Sequence, residues 1–126
     1  MVADPVRLED RPTLTAGRSR RPARATWQRL LDQLWQLAGG PAELIAHTER
    51  AWASATFSGA RHGFTLDFAG AAAVSRGEGL IADLPEHEFT LPGLLVADAA
   101  VVSANHTLAP MPRLTVTCEL LLVEEG

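Results

Sequence analysis

The stretch Leu114–Val123, LTVTCELLLV, decides how the rest of this 126-residue chain is read. Side chains of a strand point alternately to its two faces. Leu114, Val116, Cys118, Leu120 and Leu122 therefore make one unbroken apolar face. Thr115, Thr117, Glu119, Leu121 and Val123 make another that starts polar and ends apolar. Just upstream, Leu94–Ser103 (LLVADAAVVS) is apolar on both sides except at Asp98 and Ser103. Its Leu94, Leu95, Asp98, Val101 and Val102 also fit helical spacing, but the valines and the preceding Pro92-Gly93 turn favour a strand.

An antiparallel sheet with one wet face shows clean in/out alternation, and this pair does not. Each Leu or Val side chain left in water forgoes about 1.5–3 kcal/mol. The expectation is that helices cover one face and a second copy of the chain covers part of the other. Leu94, Val96, Leu121 and Val123 are the residues expected at that interface. A homodimer is the commonest closed arrangement for a shared face.

Outward from the strand pair, the best helix is Thr26–Ala38, where Trp27, Leu30, Leu31, Leu34, Trp35 and Ala38 form one stripe. Gly39-Gly40-Pro41 ends it. Pro41 is then expected to open a short helical stretch over Ala42–His47. From about Glu49 the pattern alternates, turns at Ser58–Arg61 and returns through His62, Phe64, Leu66 and Phe68, a hairpin. Gly70–Leu84 reads as a second helix, with Gly77 and Gly79 as weak points unless a glycine permits close approach to the sheet. Phe89 and Leu91 lead into the third strand, and Asn105–Pro112 is a loop. The fold class is α+β: a two-layer sandwich of order α-ββ-α-ββ, with two helices on one face of a four-stranded antiparallel sheet.

Hydrophobic content of 47% suits one packed domain, here 26–126. Residues 1–25 read as an extended or disordered basic arm. The first 24 residues carry six arginines against Asp4, Glu9 and Asp10, while the rest of the chain is acidic and there is no lysine. Arg18, Arg20, Arg21 and Arg24 are available to an acidic protein or to nucleic acid. No apolar run is long enough for a membrane helix and no signal core follows the N-terminus, so the expected location is cytoplasmic.

Chemistry-bearing motifs are sparse. His47, His62, His87 and His106 show no close ligand spacing, and Cys118 is the lone cysteine, so no metal site or cofactor is expected. There is no phosphate-binding glycine loop and no nucleophile elbow, and no catalytic residue is assigned. Asp98, within an apolar run, needs a partner if buried, with Arg61, Arg113 or His62 as candidates. A polar site built from Asp98, His62, His87 and Glu88 would mark a small enzyme or ligand-binding domain. The leading expectation is instead a non-enzymatic module that self-associates through its sheet.

Overall fold

A computed structural model describes residues 25–125; the arginine cluster of the arm lies outside them. The elements run α1 (Thr26–Leu37), β1 (Glu43–Ala53), β2 (Ser58–Ala69), α2 (Ala71–Asp83), a single 3-10 turn at Leu84–Glu86, β3 (Leu94–Thr107) and β4 (Arg113–Glu124). All strand pairs are antiparallel, in the order β1-β2-β4-β3. This is the expected two-layer α+β arrangement, and Leu94–Ser103 is strand. No helix among the described residues is long and apolar enough to cross a membrane.

The helices bury the stripes that their periodicity marks out. At the start of α1, the Gln28 side chain accepts the Ala25 N–H at 3.1 Å, satisfying a donor that the first turn leaves free. At its end Gly39 takes φ +83°. Its N–H bonds the Gln36 carbonyl and that of Gly40 bonds Trp35, the paired bonds of a Schellman stop. In α2, a Cβ on Gly77 would lie 2.8 Å from the Phe68 ring and 2.9 Å from Leu114, whereas one on Gly79 would meet nothing within 4 Å. Gly77 is thus the close approach of α2 to the sheet. Arg76 links the layers, donating to the Gly40 carbonyl at 2.7 Å and lying over Phe68.

Leu30 and Leu34 of α1, Val74 and Leu80 of α2, Phe64, Leu66 and Phe68 of β2, and alternate residues of β4 from Leu114 to Leu122 form the core. The opposite face of the sheet is hydrophilic at its centre. Thr65 and Thr117 hydroxyls meet at 3.2 Å; Thr115 donates to Asp67 at 3.0 Å, and Arg113 lies 3.4 Å from the same carboxylate.

Three local expectations are corrected. Ala42–His47 is not helical, because β1 begins at Glu43. The hairpin turn is 54–57, and Ser58–Arg61 belongs to β2. The Ser54 hydroxyl accepts the N–H groups of Thr56 and Phe57, a local side-chain bond that stabilises a turn without glycine. The loop before β4 is shorter than expected, since β3 runs to Thr107.

Candidate functional site

Two bulges in β3 explain its ambiguous pattern. The register breaks between Val96 and Asp98 and again between Val101 and Ser103. Each bulge inserts one residue and reverses which face the following side chains take. Leu94 and Val96, then Ala99 and Val101, therefore all pack on the core, while Asp98 pairs with Leu121 on the other face and is exposed. The burial that would have forced a partner on Asp98 does not arise. Among the described residues the buried carboxylate is Asp67, 6% exposed, and Arg113 pairs with it rather than with Asp98.

The same reversal divides the expected interface. Leu94 and Val96 face the helices, whereas Leu121 and Val123 belong to the opposite face. The four do not form one patch, and Val123 is only 7% exposed.

The expected polar site is likewise dispersed. His62 is buried on the helix side of β2, opposite Leu120, and Asp98 is on the far side of the sheet. His87 follows the 3-10 turn, its ring edge-on to Phe89 at 4.6 Å, and Glu88 beside it is exposed. What the fold gathers around His62 is different: His47 and Glu49.

A bulge at Ile45 positions His47. Strict alternation would put Leu44 and His47 on opposite faces, but the register breaks between Leu44 and Ala46. Leu44 packs against the core and His47 stacks on Trp27 of α1, so both face the helices. Glu49, two residues on, takes the same side and pairs directly with His62. His47 is then the diagonal neighbour of His62, a spacing within reach of aromatic side chains. Its Nε2 lies 3.0 Å from His62 Nδ1, and the rings are near parallel at 5.2 Å. Trp27 at 4.8 Å and Phe64 at 4.9 Å both stack on His47.

This setting excludes charge. Burial, reinforced by the neighbouring His62, lowers the His47 pKa to about 4 although Glu49 pulls it upward. Burial alone takes His62 to about 4. Near neutral pH both rings are uncharged, and one N–H is shared between them as donor and acceptor. Neutral imidazole nitrogen is also the form that ligates metals. Ligand atoms of His47, Glu49 and His62 all lie within 4.8 Å of one another. The absence of close spacing between the four histidines therefore did not exclude a donor cluster. Cys118 is fully buried on the same face of the sheet, and its thiol is pushed up to about 12, mainly by burial and further by Glu119. It is a core residue and not a nucleophile at neutral pH.

At the other side of the sheet, β3 outruns the helices. Ala104 and His106 pair with Val116 and Leu114, which are buried, yet are themselves exposed. Leu95, Val102, Leu108 and Met111 are exposed along this flank, Leu108 by 75%. No protein-family model, curated protein or solved structure matches the chain, so its function is argued from these residues alone.

Proposed function

We propose that this domain is a non-enzymatic assembly module that pairs with a second copy of itself along the outer half of β3. The observation that carries the reading is that Ala104 and His106, the helix-side positions of the outer half of β3, are exposed beside Val116 and Leu114 of β4, which are buried. A long open edge offers unpaired backbone N–H and C=O groups to another strand. Here it also offers exposed Val102 and Leu108. Antiparallel pairing about a two-fold axis near Ala104 would satisfy those groups, shelter the apolar side chains and keep the two Asp98 carboxylates apart. The edge of β1 is less suitable, since exposed Glu43, Glu49 and Arg50 lie along it.

Sedimentation of the full chain at micromolar concentration tests this. The expected result is a dimer that Val102→Asp with Leu108→Asp converts to monomer. A monomeric parent chain would end the proposal. Dissociation by Leu121→Asp with Val123→Asp, but not by the β3 changes, would move the contact to the opposite face. The arginines at 18, 20, 21 and 24 remain available in this reading to an acidic partner, whose binding should weaken steeply with salt.

A further inference from the structure

The histidine pair invites a reading independent of assembly. We propose that His47, Glu49 and His62 form a binding site for one divalent transition-metal ion of the zinc class, with a coordination position left open to solvent.

The argument begins with bite distance. Two imidazole nitrogens about 2.0–2.1 Å from a tetrahedral ion are roughly 3.3 Å apart, and about 2.9 Å apart at a right-angled site. The observed 3.0 Å between His47 Nε2 and His62 Nδ1 lies in that interval. To receive an ion, the donor ring takes its other tautomer, its proton moving to the remaining ring nitrogen, and both rings swing so that the freed lone pairs converge, while the separation of the two nitrogens changes only by tenths of an ångström. Glu49 supplies an anionic third donor from the same side of the hairpin, within 4.8 Å of both rings. Two imidazoles and one carboxylate are a borderline-soft set that favours zinc, cobalt, nickel or iron(II) over magnesium or calcium.

The surroundings suit such an ion. Trp27 and Phe64 hold His47 by stacking, and His62 is 2% exposed, so neither ring needs much ordering on binding. Glu49 is exposed and His47 only partly buried, which gives an entry path from solvent. Three protein donors leave a position for water or a small anionic ligand.

Calorimetric titration of the untagged full chain with zinc(II), with cobalt(II) absorption as a geometric readout, decides the matter. The expected result is one zinc per chain, visible cobalt bands of a four- or five-coordinate site and no comparable uptake of magnesium. Loss of an outer-shell partner typically weakens metal binding by about 10–100-fold. Glu49→Gln and His47→Ala, each removing a direct donor, should therefore weaken zinc binding by about tenfold or more. His87→Ala and His106→Ala should leave it unchanged. Glu49 is exposed, so Glu49→Gln remains decisive if His47→Ala fails to fold. No one-to-one uptake, unchanged affinity in Glu49→Gln, or loss confined to the His87 or His106 variants would overturn the proposal.

Discussion

The two flanks of the sheet receive opposite treatment from the helical layer. At the β1 flank, α1 lies over the strands, and Trp27 and Phe64 stack on a histidine. At the β3 flank, the outer half of the strand has no helix above it, and Val102 is left 52% exposed. On the helix side of the sheet, a histidine pair is desolvated at one flank while Ala104 and His106 stay wet at the other. Where two helices come to rest on four strands thus determines which side chains acquire unusual properties. Composition does not determine it, since either strand contains residues that the opposite treatment would suit better.

The contrast can be broken by direct comparison. Phe64 is fully buried under the covered flank, so Phe64→Ala should cost about 3–5 kcal/mol in chemical denaturation. Val102→Ala on the bare flank should change the stability of the monomer by no more than about 0.5 kcal/mol. Comparable losses from the two would mean that the flanks are equally packed.

Acid should act through the covered flank. The His62 pKa is about 4 in the folded protein against 6.5 without burial, so the unfolded chain takes up its proton first as pH falls. Stability is complete above about pH 6.5, declines between 6.5 and 4, and loses nothing further from this group below that. The loss expected from His62 by pH 4 is on the order of 3 kcal/mol in metal-free protein. Denaturation midpoints across that window should flatten in His62→Phe, and an unchanged slope would disconnect the pair from acid sensitivity.

A smaller test concerns the middle of the sheet, between the flanks. Gly77→Ala must push against Phe68 and Leu114; overpacking costs about 1–3 kcal/mol, offset in part by better helix propensity. Gly79→Ala meets open space and should stabilise by about 0.5–1 kcal/mol. Thermal melts of the two variants should move in opposite directions.

Much of the frame was legible because its signals are local. Six apolar residues at helical spacing marked α1, and the alternation of Leu114–Leu122 marked the inner face of β4. Two hairpins separated by a helix gave the β1–β2 and β3–β4 neighbours, whereas the central β2–β4 pairing is seen only in the structure. The site was not legible, for three physical reasons. Pro41 with Leu44 and Ile45 resembled a helix start, which removed His47 from any strand. The turn was placed at Ser58–Arg61, a few residues late, so the register carrying Glu49 opposite His62 was lost. Bulges at Ile45 and in β3 reverse facing without altering residue types, and on that account Asp98 read as an acid that would need a partner if buried, while Asp67 is the buried acid among the described residues. Ser54 as a turn former, which sets Glu49 opposite His62, is the signal that would have brought His47 and His62 to the same sheet face.

The short connection at 54–57 has a consequence for kinship. It is followed by a register in which Glu49 stands opposite His62. A loop of another length that left this pairing intact would keep the donors together, because surface loops absorb insertions. A slip of the strands by one residue would turn one donor to the reverse side, so distant kin are better sought by strand pairing than by conserved letters.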